Sequence, residues 1–253
     1  MNGLALKLIA IITMLIDHST AVLVSYETSP NLYLLGRTIG RLAFPIFCFL
    51  LVEGLLHTKD VRKYLLRLGL FAILSEISFD LAFFHSNYYL QHQNIFFTLL
   101  IGLSVIFIMR KIEAARNGAE TTYPFQVFSI VLEVIIVFAG CVAAYLLETD
   151  YSVFGVLQIV FFYVFRKKKI MLLLFVIFVN QMLGVVFGPP ASMGEIVNIL
   201  MQVVTSISIQ SFATFAMILI FRYNGERGPK LNKYIFYAFY PVHLTILYLI
   251  NTL

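Results

Sequence analysis

The sequence predicts an all-α fold: a polytopic bundle of about nine transmembrane helices, forming one integral membrane domain over residues 1–253. Three observations predict it. The chain is 60% hydrophobic, with mean hydropathy +0.91. Only 12% of its residues are charged, against roughly 25% in an average soluble domain. The charges fall mostly in short loops between apolar runs of about 20 residues, the length that crosses a bilayer.

The elements follow in order. Leu4–Val24 is the first span. It is too long for a cleaved signal peptide, carries Asp17 and His18, and lacks a small-residue cleavage site, so it is expected to remain. Leu35–Leu56 is the second and is entered through Arg37 and Arg41. Tyr64–Phe84 is the third, with Glu76 and Asp80 late in it. Ile95–Met109, Phe125–Leu147, Val153–Phe165 and Ile170–Phe187 are the fourth to seventh; the fourth and sixth are short and are expected to extend into their flanks. Ile196–Phe221 is long, and reads either as one tilted helix or as a helix broken near Ser206–Ser211, which would give ten spans. Tyr234–Ile250 is the last, with Pro241 expected to kink it and open a pocket.

Loop charge orients the bundle. Basic residues cluster in His57–Arg67, Arg110–Arg116, Arg166–Lys169 and Arg222–Lys233, while Ser25–Leu35, His85–Asn94, Glu148–Ser152 and Gly188–Glu195 hold few or none. The positive-inside rule places the first set in the cytoplasm, giving a multi-pass protein of the cell membrane with a cytoplasmic N-terminus. The formal charge of +5 therefore reads as topology and contact with membrane lipids rather than nucleic-acid binding. Cys48 and Cys141 lie in separate apolar runs, which argues against a disulfide, and two isolated thiols are too few for a metal site.

Ionisable groups inside the apolar runs carry the functional signal. Each costs several kcal/mol unless paired or lining a wet cavity. His18 lies eleven residues beyond Lys7, about 16 Å along a helix, and His243 about 15 Å beyond Lys233. Arg37, Arg41, Glu76, Asp80 and the segment His92, Gln93, Asn94 fall at a similar depth. Arg37 and Arg41 share one helix face, as do Glu76 and Asp80, and the two pairs suggest a cross-helix ion quartet. That quartet reads either as part of a site or as a structural clasp. Asp17 and His18 point about 100° apart, so His18 must find its partner elsewhere, at Glu76, Asp80 or His243. His57 reads as interfacial and His85 as solvated; His92 reads equally as a surface group or a site group.

Several stretches together resemble a known family: Ile9–His18 (IAIITMLIDH), Gly36–Gly54 (GRTIGRLAFPIFCFLLVEG) with His57, Tyr64–Phe84 (YLLRLGLFAILSEISFDLAFF), Gln91–Thr98 (QHQNIFFT) and Phe239–Leu244 (FYPVHL). The chain resembles the TraX family, whose named member acetylates the N-terminus of conjugative F-pilin. Ser78 stands where many relatives have proline. TraX proteins in turn resemble the membrane acyltransferase-3 superfamily, which moves acyl groups from cytoplasmic acyl-CoA to acceptors at or beyond the outer face. Lys7 and His18 match that superfamily's basic residue, ten residues, then histidine. Arg37, Arg41 and Pro45 are similar to its arginine motif, with different spacing.

The resemblance implies a transmembrane acyltransferase-like bundle with acetyl-CoA as co-substrate and no metal. Its acceptor would be an amine or hydroxyl of a pilin-like peptide or a surface glycan. His18 is the expected base, with Glu76, Asp80 and His243 beside it in the chemistry. Arg37, Arg41, His92, Gln93 and Asn94 are expected to meet the acceptor or the oxyanion, and Lys7, Arg62, Lys63 and Arg67 the CoA phosphates. The competing class is a proton-coupled transporter relaying through Glu76, Asp80 and His18. Against it, the chain lacks matching broken helices in two halves. A non-enzymatic scaffold would leave the intramembrane charges unexplained.

Overall fold

The computed structural model describes residues 1–118, 122–186 and 208–253, apart from the side chains of 184–186. Its helices are α1 Gly3–Leu23, α2 Pro30–Gly40, α3 Ala43–His57, α4 Val61–Phe84, α5 Ile95–Asn117, α6 Tyr123–Leu146, α7 Ser152–Val164 and α8 Lys169–Val186. A 3-10 helix, Ile209–Phe215, then runs into α9 Ala216–Phe221, and α10 Lys233–Thr252 completes the series. Among the described residues, five stretches are long and apolar enough to cross a membrane: α1, α2–α3 taken together, α5, α6 and α10. Three shorter apolar helices accompany them at Ser152–Val164, Lys169–Leu183 and Ile209–Phe221.

The expected second span is present as α2 and α3 taken together, but not as one unbroken helix. It breaks at Arg41–Leu42, four residues before Pro45. Proline has no N–H to bond back to the carbonyl of Arg41, so it is tolerated only in a helix's first turn, where α3 places it. The break leaves Arg41 at the C-cap of α2. The fourth span does extend into its flank, to Asn117, whereas the sixth stays within Ser152–Val164. α10 is helical through Pro241. The expected break near Ser206–Ser211 falls partly outside the described residues; from Ile209 the backbone is 3-10.

α1 packs on α2, α3 and α10, α4 on α5 and α10, and α5 on α6 and α7. The close packing of α1 on α2 depends on glycine. A Cβ built on Gly36 would lie 2.0 Å from Thr20 Oγ1, and one on Gly40 2.2 Å from Asp17. This small-xxx-small pair brings the two backbones together. The interior is aliphatic and aromatic (Leu6, Ile46, Leu103, Ile159, Phe162), while Ile73, Ile77, Phe138 and Ile246 point outward, as lipid-facing positions do.

Polar side chains set several helix starts: Asn2, Asp60, Asn94 and Asn232 each accept from a backbone N–H in the following turn. The four basic loop clusters gather at one end of the bundle. Arg110 donates to the Leu55 carbonyl, Arg227 to the His57 carbonyl, and Arg166 lies 3.9 Å from Glu113. The strap 222–232 also holds Met1, whose amino group donates to Arg222 O at 2.8 Å, and Gly3, which donates to Glu226 O at 2.7 Å. At the opposite end the loops 85–94 and 147–151 are clipped together: Gln93 N donates to Glu148 O at 3.0 Å and Asp150 N to Gln93 O at 2.9 Å.

Candidate functional site

A cavity of about 850 Å³ runs between the helices. At the basic end it is lined by Lys7, Lys59, Arg67, Arg227 and Lys233, and deeper in by His18, Arg37, Arg41, His92, Asp150 and Tyr151. Its walls between are largely aromatic, including Phe47, Phe83, Phe96, Phe236 and Tyr240.

His18 faces this cavity from α1, with His243 of α10 behind it. Their rings lie nearly coplanar and meet edge to edge, with centroids 5.1 Å apart and planes 6° apart, and His18 Nδ1 is 2.8 Å from His243 Nε2. His243 Nδ1 lies 2.7 Å from the Phe239 carbonyl oxygen. Phe83 and Tyr240 meet the His18 ring edge-on. Of the three partners expected for His18, the structure selects His243.

Asp17, one residue earlier, turns toward α2. Both its carboxylate oxygens accept from Arg41 Nη2 at 2.8 Å, and Arg37 Nη1 is 2.9 Å from Oδ2. The expected quartet of Arg37, Arg41, Glu76 and Asp80 therefore does not form. The close α1–α2 contact at Gly40 delivers Asp17 to both arginines first. The α4 carboxylates serve the loop instead: Glu76 Oε2 accepts from the Asn94 side-chain amide, and Asp80 Oδ2 from Tyr89 N at 2.8 Å. Neither Glu76 nor Asp80 lines the cavity or touches His18.

Arg41 is fully engaged. Its Nε donates to Arg37 O, its Nη1 reaches Tyr151 Oη at 3.5 Å and Gln210 Oε1 at 3.4 Å, and its Nη2 is spent on Asp17. Gln210 in turn donates to Asn180 on α8. Arg37 is different: its Nε and Nη2 take no partner among the described residues, and its side chain is 24% exposed beside the cavity.

At the far end His92 Nε2 lies 3.7 Å from Asp150 Oδ1, with Phe79 stacked on the ring. The nearby Asp150 carboxylate, helped by the charges of Glu148 and Glu76, raises the His92 pKa against the opposing pull of burial. Tyr151, stacked on Phe44 with centroids 3.9 Å apart, has its phenol pKa raised chiefly by burial, with Arg41 opposing. It adopts φ 61° between Glu148 at 49° and Ser152 at 43°. Three non-glycine residues in the left-handed region mark a constrained loop at the mouth.

The site residues expected from the sequence thus divide. His18, Arg37, Arg41, His92, Lys7 and Arg67 line the cavity. Asn94 is fully buried as the cap of α5, and Gln93 is off the cavity, its backbone in the loop clip and its side-chain amide donating to Leu90 O. Arg62 and Lys63 lie off the cavity, and Lys63 pairs with Asp60 at 3.3 Å in solvent. The sequence does not point to Asp150, Tyr151 or Gln210, while Lys59, Arg227 and Lys233 belong to the cytoplasmic basic loops that are candidates for the CoA phosphates. Loop charge does not single those three cations out from their neighbours, and no pattern flags a two-loop clip. Among the described residues no three His, Cys, Asp or Glu side chains converge as metal ligands.

This constellation spans helices from both ends of the chain, and so does its likeness to known proteins. The family model described as TraX protein matches residues 2–251. The chain belongs to the TraX family. It is also 28% identical over 255 residues to a probable fimbrial assembly protein FimC, serogroup H1, of Dichelobacter nodosus, a match covering 97% of this chain and 94% of that relative. No solved structure matches this TraX-family chain.

Proposed function

We propose that this TraX-family protein is a membrane-embedded acyltransferase that moves an acetyl group from acetyl-CoA to an amine or hydroxyl acceptor. The observation that carries the reading is one continuous cavity that joins a cluster of cations to His18, with His243 behind it, deep in the bundle. The basic end faces the cytoplasm by the positive-inside rule, so the helices cross the cell membrane with acetyl-CoA on the inner side. Its phosphates meet Lys7 and Arg67, joined by Arg227, Lys59 and Lys233. The pantetheine arm follows the aromatic passage over the roughly 16 Å of helix rise from Lys7 to His18. The acceptor arrives past His92, Asp150 and Tyr151. The D. nodosus relative is named for fimbrial assembly, which favours a pilin-like peptide; a surface glycan is the other acceptor class.

His18 takes the acceptor proton as the acceptor nitrogen or oxygen attacks the thioester carbonyl. The C–S bond then breaks, and the thiolate of CoA leaves with that proton. Arg37, with donors left over from Asp17, faces the developing oxyanion, while the committed Arg41 holds Asp17 and Tyr151 in place. The transporter reading loses support, because Glu76 and Asp80 each bind the loop through one oxygen and do not line the cavity with His18. The test is release of free CoA thiol from acetyl-CoA by the purified protein with a pilin-like peptide. Wild type is expected to turn over, and His18→Ala to lose on the order of 10²–10⁴ of the rate. Wild-type turnover in His18→Ala would remove His18 from the chemistry.

A further inference from the structure

A general base needs a bare lone pair, and an imidazole has two nitrogens on which to carry its proton. The arrangement behind His18 decides which. The oxygen of Phe239 is a backbone carbonyl and only accepts hydrogen bonds. The His243 Nδ1 that lies 2.7 Å from it must carry a proton. With His243 neutral, its Nε2 is then an acceptor. The group 2.8 Å from that Nε2 is His18 Nδ1, which must donate. For two neutral rings this pattern has one solution, and it leaves the proton of His18 on Nδ1 and the lone pair on Nε2.

Resting on the acyltransferase reading, we propose that His243 is the positioning residue that makes Nε2 of His18 the reactive base. Among the described residues nothing takes a hydrogen bond from, or gives one to, that Nε2, and His18 lines the cavity while His243 is only 4% exposed behind it. The rings are held in place. Phe239 stacks on His243 with centroids 4.7 Å apart, and Phe83 and Tyr240 close on His18 edge-on. Among the described residues no carboxylate takes the orienting role: Asp17 pairs with Arg37 and Arg41, Glu76 accepts from Asn94 and Asp80 from Tyr89, and none of them bonds His18. A second imidazole anchored on a main-chain oxygen does the work that a buried aspartate does in other base dyads.

The proton balance is simple. The acceptor's N–H or O–H bond breaks and its proton goes to His18 Nε2. His18 is then an imidazolium whose Nδ1–H still points at His243 Nε2, so the charge spreads over the pair. The same Nε2 proton passes to the departing sulfur, which restores the neutral chain of hydrogen bonds.

The test reads the tautomer directly, independent of turnover. The chain has five histidines, so ring-¹⁵N-histidine labelling of the full-length protein in detergent micelles gives few signals, and those of His18 are identified by their loss in His18→Ala. In wild type, His18 is expected to be protonated at Nδ1 and bare at Nε2. In His243→Leu the acceptor is gone, and the proton is expected to move to Nε2. His243→Gln, whose amide oxygen can accept from Nδ1–H, keeps the wild-type pattern and also guards against a leucine variant that fails to fold. In the CoA-release assay, His243→Leu is expected to lose on the order of 10²-fold or more in kcat with KM for acetyl-CoA little changed, and His243→Gln to recover part of that loss. An Nε2–H signal for His18 in wild type, including one arising from a doubly protonated His243, overturns the inference. So does a tautomer unchanged in His243→Leu. The expected tautomer in a protein that releases no CoA would leave this pairing standing and sink the acyltransferase reading alone.

Discussion

Arg41 Nη2 lies 2.8 Å from each carboxylate oxygen of Asp17, and Arg37 closes on the same carboxylate at 2.9 Å. Asp17 thus answers two guanidiniums across the α1–α2 contact, beside the cavity and one residue from the histidine that faces it. The fork also holds the break between α2 and α3 in place, because Arg41 is the C-cap residue at that break.

Removing the carboxylate charge would leave two cations facing each other at a buried contact. Asp17→Asn is therefore expected to cost about 3–5 kcal/mol, the range for a buried pair that loses one partner. Thermal unfolding in detergent measures it, with Arg62→Gln as the control for a cation outside the cavity. A variant as stable as wild type would show that the fork contributes little.

How much of this was legible in the sequence differs from residue to residue. The apolar runs and the grouping of the basic loops follow from hydropathy and charge, and both reappear in the helices and in the shared basic end. Depth and the 100° turn that takes Asp17 out of contention leave His243 as one of three candidate partners for His18, beside Glu76 and Asp80, and only the structure selects it. The arginine pairing was misread because depth does not say which way a side chain points around its helix. Gly36 and Gly40 carry that information, as small residues that draw α2 against Asp17. The break at Arg41–Leu42 was signalled by Pro45 and overlooked inside a long apolar run. Asp150 and Tyr151 reach the cavity only because residues 93 and 149 pair across two loops, a contact that leaves no periodic trace.

The same glycine contact gives a steric prediction. A methyl on Gly40 would lie 2.2 Å from Asp17 Oδ1, too close for either helix to stay where it is. Gly40→Ala is expected to destabilise by about 1–3 kcal/mol, as overpacking does. It should also depress CoA release further than the stability loss explains, because Arg41 and Asp17 move with the helix. Gly225→Ala, where nothing lies within 4 Å, is a second alanine to compare, although its φ of +80° adds its own backbone strain. Turnover and melting temperature measured on both variants separate the two effects.

Charge at the basic mouth is the basis of a third prediction. Lys59 and Lys233 are exposed at the cavity rim, while Arg62 and Lys63 sit away from it. Lys59→Glu and Lys233→Glu are each expected to raise KM for acetyl-CoA by roughly three- to tenfold, with the effect shrinking as salt screens it. Arg62→Glu and Lys63→Glu should change KM by less than about twofold. KM at low and high ionic strength checks the order. Equal effects from both pairs would place the phosphates elsewhere.

The loop clip at the opposite end should report pH. His92 gains a partner on folding, so its folded pKa is raised above the unfolded value near 6.5. Its share of stability is then fully present below about pH 6.5 and is lost as pH rises through the higher folded value. Both side chains are about a third exposed, at 38% for His92 and 33% for Asp150, so the solvent-screened worth is a few tenths of a kcal/mol. Melting temperature measured from about pH 5.5 to 8.5 should fall slightly across that window in wild type, and stay flat in His92→Gln and in Asp150→Asn. The two variants are informative together, because the loops that carry them are joined through Gln93 and Glu148 whichever side chain is replaced. If both variants keep the wild-type slope, another group sets it, and the pairing of His92 with Asp150 adds nothing to the stability of that mouth.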